Sequence, residues 1–430
     1  MFKKNISPGT VPLRESLTLA CCTLLNVAPE AQAELLEDIK VDSAVLVYSE
    51  SDGRVNVVEP IIKLKSEIKE DQYLNVQIVL DALTGASPNG AQSSNIAQTF
   101  TSPSGNKTYT TDANTQPLDD TFHDTRVAIS STLENPLDRL RKNIWSASFS
   151  REYDWQSLSA GYTYKQDTKF KDTTYMLGTS LTSDAISPVG GAPIALATMK
   201  APGDNSSKAA DESRSTVDLI AGITKILNRK TITQLNLSIS QSSGYHNDPY
   251  KIVSLIDPIS GLPTSNAEKY IYESRPDSRQ RQIIYWKIAR HLTEDVINIA
   301  YRYYQDDWGI NSHTIDLKYR YELSAKNFLQ PHIRFYSQTA ADFYRHSLKD
   351  NEALPEFVSA DLRLAEFNTV TIGLKYGHKL ANNKAISARL EIMQQTGKSQ
   401  PADAIGVENN QDIHPDLSAT ILQFSYSFIW

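Results

Sequence analysis

Cysteine is almost missing from this chain: of 430 residues only Cys21 and Cys22 carry a thiol, side by side near the N-terminus. Beyond them, structural disulfides, thiolate zinc sites and cysteine nucleophiles are excluded together. Methionine is scarce as well, at 4. No stretch of 18 uninterrupted apolar residues occurs, which excludes a helical membrane protein. No basic block occurs either. The 43 Lys+Arg are interleaved with 50 Asp+Glu for a formal charge of −7, so nothing points to a nucleic-acid partner. The eight histidines are scattered, without the spacing of a metal site, and neither a metal nor another cofactor is expected. What the chain does hold in quantity is tyrosine, 21 of them.

The N-terminus reads as an address. Lys3, Lys4 and Arg14 precede an apolar run from Leu17 to Val27, and Ala31-Gln32-Ala33 supplies the small residues a signal peptidase recognises. A secretory signal peptide over 1–33 is expected, removing both cysteines, with the mature chain running from 34 to 430. A lipoprotein site at Thr18-Leu19-Ala20-Cys21 fits only loosely.

From Ser43 onward the recurrent pattern is period two, in segments of about ten residues, the length a tilted strand needs to cross a membrane. In 313–322, Ile315, Leu317, Tyr319 and Tyr321 share one face, while Asp316, Lys318, Arg320 and Glu322 share the other. Sixteen such segments can be marked: 42–50, 55–68, 73–83, 125–133, 143–150, 157–167, 173–182, 215–226, 231–242, 281–289, 296–304, 313–322, 330–337, 369–378, 385–394 and 419–430. The connections between them alternate in length. Short ones at 69–72, 134–142, 168–172, 227–230, 290–295, 323–329 and 379–384 take turns with mostly long ones, among them 84–124, 183–214, 243–280, 338–368 and 395–418. Sorting of this kind has no cause in a soluble sandwich. It predicts a transmembrane antiparallel β-barrel of about 16 strands in the bacterial outer membrane, with short periplasmic turns, long extracellular loops and both termini periplasmic.

The chain ends Phe424-Ser425-Tyr426-Ser427-Phe428-Ile429-Trp430, placing Phe424, Tyr426, Phe428 and Trp430 on one face. This resembles the C-terminal insertion signal of outer-membrane proteins, which implies the barrel-insertion machinery as a partner and membrane lipid as the surroundings. A β structure in lipid must close on itself, since no water is there to satisfy an open edge.

Further strings carry a narrower resemblance: Asp81-Ala82-Leu83-Thr84-Gly85-Ala86-Ser87-Pro88, Arg151-Glu152-Tyr153-Asp154-Trp155, Gly244-Tyr245-His246-Asn247-Asp248-Pro249-Tyr250-Lys251, and Tyr301-Arg302-Tyr303-Tyr304-Gln305-Asp306-Asp307-Trp308-Gly309. Over about 40–430 the chain resembles the bacterial outer-membrane family catalogued as domain of unknown function 3570. That resemblance implies a Gram-negative barrel and no catalytic residues. It also implies a lipoprotein or a periplasmic redox protein as a possible neighbour, because such genes often adjoin those of the family.

No catalytic constellation stands out, and no enzymatic activity is expected. Ser312-His313 are adjacent, so in a strand they point to opposite faces. Asp306-Asp307 and His246-Asn247-Asp248 fall at the outer rim, where a protease of the omptin type would carry its acids and histidines; ordinary loop solvation accounts for them and for Asp119, Asp120 and Asp124. Gly85, Gly244 and Gly309 open outer loops, where tight bends explain them.

The inward face is richer in basic than in acidic residues. Arg302, Lys318, Arg320, Arg334 and Arg389 are the candidates for setting selectivity, and a sixteen-stranded barrel is wide enough for an aqueous channel unless loops fold inward. Two functions follow on equal terms. One is a channel or loop-gated pore for small polar or anionic solutes. The other is a non-conducting structural or assembly barrel that anchors a lipoprotein or periplasmic redox partner.

Overall fold

The computed structural model describes residues 39–52, 54–102, 107–201, 204–264 and 269–430; the expected signal peptide and both cysteines lie outside the described residues. The strands are β1 (Lys40–Glu50), β2 (Asn56–Lys69), β3 (Gln72–Thr84), β4 (Gln98–Thr101), β5 (Thr108–Thr111), β6 (His123–Pro136), β7 (Arg141–Arg151), β8 (Trp155–Asp167), β9 (Thr173–Ile186), β10 (Glu212–Asn228) and β11 (Thr231–Gly244). They continue as β12 (Ile252–Ile256), β13 (Tyr270–Tyr272), β14 (Ser278–His291), β15 (Val296–Asp306), β16 (Asn311–Glu322), β17 (Asn327–Gln338), β18 (Leu348–Lys349), β19 (Phe367–Lys379), β20 (Ala385–Gly397) and β21 (Leu417–Ile429).

Sixteen of them form one closed barrel, in the order β1-β2-β3-β6-β7-β8-β9-β10-β11-β14-β15-β16-β17-β19-β20-β21. Each expected segment corresponds to one barrel strand. The seam is made by β1 and β21, antiparallel, with Val41 opposite Phe428 and Val45 opposite Phe424. Closure leaves the barrel without an edge, which is the condition a sheet must meet in hydrocarbon.

The alternation sorts the wall. Leu158, Leu177, Leu237, Ile315, Ile372, Ile392 and Phe424 all point outward and are 48–62% exposed. Seven large apolar side chains left bare in this way make sense only against lipid, since a water-soluble surface of that extent would associate. Aromatics gather on the same outer face near the end that holds the termini: Trp145, Tyr175, Trp286, Tyr321, Tyr376 and Trp430. Such girdles sit where hydrocarbon meets headgroups, because their rings are apolar at one end and polar at the other.

At the terminus end the strands are joined by turns of two to five residues (70–71, 137–140, 168–172, 229–230, 292–295, 323–326 and 380–384). The two-residue turn at 70–71 needs a left-handed residue and puts Asp71 there at φ +58°. All the long connections emerge at the other end. There they fold on one another. β12 is the centre of a three-stranded sheet with β13 and β18, and β4 pairs with β5 in a separate hairpin. The chain at 194–199 joins this layer through Leu196 N to Tyr272 O (3.2 Å) and Met199 N to Tyr270 O (2.9 Å).

Most of the buried apolar residues lie in these connections, with a few in the wall, such as Ile186 and Ala419. One cluster packs Ala91, Phe100, Ile252, Tyr270 and Tyr272; a second packs Trp308, Ile310, Ala341, Phe343 and Leu364; a third packs Val253, Ile271, Val358 and Ala360. The loops therefore carry a hydrophobic core of their own, a cap seated on the mouth of the barrel. This corrects the solvated-acid reading for two positions. Asp119 is buried and accepts from Ser102 Oγ at 2.5 Å and from Thr121 Oγ1 at 2.7 Å. Asp306 is buried and pairs with Arg279 at 2.5 Å.

Candidate functional site

The lumen under the cap is the place where polar side chains converge. The wall from β7 to β11 lines it with small residues: Ser148, Ser150, Ser157, Ser159, Gly161, Thr182 and Ser240 lie on the face opposite the exposed leucines. Short side chains keep that side of the barrel open. Against it lies a cavity of about 520 Å³, bounded by β6 and β7 at one limit and by β14 and β15 at the other. A second, of about 340 Å³, lies between β14–β17 and the cap residues Asp361, Arg363 and Leu364. A third, of about 550 Å³, lies between the cap and the wall of β1, β3 and β6, and also reaches Asp361 and Arg363.

Asp361 and Arg363 thus stand between two chambers, and an ion network fixes them there. Asp361 caps the short 3-10 turn Leu362–Leu364 by accepting from Arg363 N at 3.0 Å. Its carboxylate also accepts from Arg363 Nη2 at 2.6 Å and from Arg275 Nη2 at 2.9 Å. Arg275 reaches Glu273 at 2.9 Å, Glu273 accepts from Ser359 Oγ at 2.5 Å, and Arg363 reaches Asp248 at 2.5 Å. Burial alone pushes the Asp361 carboxyl up, but Arg363, Lys251 and Arg275 outweigh it and hold it well below the ordinary carboxylate range. The buried Lys251 ammonium is satisfied by Ser87 Oγ and Pro88 O, both at 2.6 Å, which ties the connection after β3 to the one after β11.

Across the third chamber the charge is of the other sign. Tyr250 donates to Asp154, and Tyr153 donates to Tyr250 at 2.5 Å. Burial pushes the Asp154 carboxyl up. Burial does the same to Glu152, helped by repulsion from Asp124 and Asp154.

The five basic candidates part company in this geometry. Arg334 reaches Asp316 at 2.8 Å, and Lys318 lies 3.4 Å from the same carboxylate. His332 stands between Asp316 (2.9 Å) and Glu391 (2.8 Å), and Arg389 lies 3.6 Å from Glu391. Arg320 pairs with Glu322 at 2.5 Å and rests over the Phe328 ring at 3.6 Å. The first three candidates are therefore members of one ladder linking β16, β17 and β20, and Arg320 is neutralised beside it. Arg302 differs: it has no ion pair among the described residues and lines both the 520 and the 340 Å³ cavities. The C-terminal residues Phe424, Tyr426, Phe428 and Trp430 lie on the outer face at the seam, far from these cavities in the wall's pattern.

Sequence reasoning missed Arg275, Arg279 and Arg281. Arg279 and Arg281 follow the inward phase of β14; Arg281 opens the expected segment 281–289, and extending its alternation toward the loop end would have found Arg279. It also missed a serine and histidine in contact. Ser242 Oγ lies 2.8 Å from His246 Nε2, and His246 Nδ1 lies 2.8 Å from Gly244 O. Ser242 is buried, His246 packs edge-on against Trp308, and neither lines the three chambers. The Ser242 hydroxyl also reaches Arg279 O at 3.3 Å, so the pair links the strand end to β14.

No curated protein matches the chain. Among solved structures it is similar to the ferric enterobactin receptor PfeA from Pseudomonas aeruginosa, at 11% identity over 84% of this chain and 54% of that one, with a TM-score of 0.40. It is similar to the siderophore receptor PirA from Acinetobacter baumannii, at 9% identity over 85% and 54%, with a TM-score of 0.41. The CymD monoaromatic hydrocarbon channel is similar at 8% identity over 92% and 89%, with a TM-score of 0.39. The chain spans about half the length of the siderophore receptors it matches. A family model, by contrast, matches residues 14–428, nearly the whole of the chain, and by that match the protein belongs to the family described as protein of unknown function (DUF3570).

Proposed function

We propose that this protein is a channel of the Gram-negative outer membrane whose loop cap gates the passage of small polar or anionic solutes. The observation that carries the reading is a charged, cavity-bearing lumen enclosed by an apolar outer wall. A purely structural barrel has no need to keep 340–550 Å³ chambers beneath a cap with its own hydrophobic core. The basic, apolar and A-x-A order of residues 1–33 supports export, and the aromatic face of β21 supports delivery by the barrel-insertion machinery. Passage requires displacement of the Asp361–Arg363 segment, and no chemical step on the solute is part of this function. Planar-bilayer recording of the refolded protein tests it: discrete conductance steps are expected, and a current that stays at the lipid baseline in wild type and in a cap-deleted form rejects it.

One observation favours a second reading, a non-conducting barrel that holds a lipoprotein or periplasmic redox partner. The ladder Arg334–Asp316–His332–Glu391–Arg389 ties neighbouring strands through the lumen and neutralises its basic side chains. Mild detergent extraction followed by identification of a stoichiometric partner supports this alternative; a barrel that purifies alone counts against it.

A further inference from the structure

We propose that Arg281 and Arg302 form an oxyanion-binding station in the lumen beneath the cap, taking a small solute that carries a carboxylate or a phosphate. The inference rests on the channel reading for its role and on independent geometry for its existence. Both arginines line the 520 Å³ cavity, from adjacent strands β14 and β15. The other cations on that cavity are paired, Arg126 with Asp81 and Arg214 with Asp184 at 2.8 Å, while Asp218 accepts from the Ser180 hydroxyl at 3.1 Å and has no cation partner among the described residues. Arg281 spends one N–H on Ser240 Oγ at 2.7 Å, while its buried Nε has no acceptor among the described residues. Arg302 has no carboxylate partner among them at all.

An N–H short of an acceptor is costly where it is buried, as at Arg281 Nε; Arg302 is exposed to the lumen, and the planar fork of each suits two oxygens of one carboxylate or phosphate. The Arg281 side also offers the small hydroxyl of Ser240, so an oxyanion would meet donors on more than one strand. Two carboxylates on the same cavity have no cation partner among the described residues, Asp218 on β10 and Glu152 at the opposite limit of the wall. Both lie on the β7–β10 side of the wall, so the field across the lumen pulls an anion toward β14 and β15 and away from those strands.

Equilibrium dialysis of the detergent-solubilised full chain against inorganic phosphate and against succinate tests the station, with the anion-to-cation permeability ratio as a second readout. Wild type is expected to bind at least one probe. Arg281→Gln combined with Arg302→Gln should weaken that binding by tenfold or more, while Lys349→Gln, at a cap residue that pairs with Glu352 at 3.4 Å and lines none of the three chambers, should leave it intact. Phosphate binding without succinate binding assigns the station to phosphate esters, and the reverse assigns it to carboxylates; either supports it. Wild type that binds neither probe, or a double variant that binds as wild type does while migrating as a folded barrel, overturns it. Binding that is lost in the double variant although no preparation conducts keeps the station and rejects the channel instead.

Discussion

Asp361→Ala is the most direct perturbation of the cap. It removes the acceptor that Arg275 and Arg363 share at 2.9 and 2.6 Å and the cap of the short turn that carries Arg363. The Arg275 side chain is only 10% exposed, so it is left in low dielectric with Glu273 as its remaining partner. Removing one member of a buried pair costs about 3–5 kcal/mol. Because Glu273 stays, the lower figure applies, and about 3 kcal/mol corresponds to roughly a hundredfold shift of the cap toward its open form. The wall is untouched, since its strands are held by backbone ladders. Hydrogen exchange should therefore quicken by roughly a hundredfold in 339–366, 245–264 and 269–277. Heat-modifiable migration of the barrel should not change, and open-channel dwell should lengthen. The pH dependence is also fixed. Asp361 is held below its unfolded value of about 3.9, so its contribution is present above that value and fades only as pH falls through the lower folded one. Between pH 5 and 8 the difference between wild type and variant should accordingly be flat. An Asp361→Ala cap that exchanges as slowly as wild type, in a folded barrel, refutes the latch.

Three further outcomes are expected. Asp154, raised by burial, stabilises the closed chamber when protonated and loses that contribution as pH rises through its folded value; Asp154→Asn should flatten the rise in exchange at 245–251 with pH, and an unchanged slope disproves the assignment. A Cβ at Gly377 would lie 2.0 Å from Phe328 Cε1, the ring that supports Arg320, so Gly377→Val should lower barrel stability by about 1–3 kcal/mol in urea titrations; an unchanged midpoint would contradict the close approach. Deleting Phe428–Trp430 removes the seam contacts of Val41 and Lys40, and the truncated chain should fail to appear as heat-modifiable barrel in outer-membrane fractions.

The wall was legible because its constraint is periodic. Ile315, Leu317, Tyr319 and Tyr321 must face lipid, so Asp316, Lys318 and Arg320 must face inward, and period two announces both at once. The cap was not legible, for the opposite reason. Leu196, Val253 and Val358 are brought together from three separate connections, and no local period marks such a meeting. Strands as short as β13 and β18 exist only because β12 offers them an edge. Phase could say that Lys318, Arg334 and Arg389 enter the lumen, but whether they stay free depends on cross-strand neighbours. Lys318 stands opposite His332, and Gly373 stands opposite Glu391 and leaves space for that carboxylate to reach His332. Register, which turn geometry sets, decided that these cations are neutralised while Arg302 is not.

Ile39 and Trp430 exchange backbone hydrogen bonds of 3.1 and 2.8 Å, so the barrel-forming part of the chain is in effect a ring cut once. As far as sheet energetics go, the nick is equivalent to one placed in any of the tight turns on the same rim. Circular permutants opened at 70–71 or 229–230, with the natural ends spliced, should then close into the same cylinder once refolded from urea. Inside a cell they would present a different final strand.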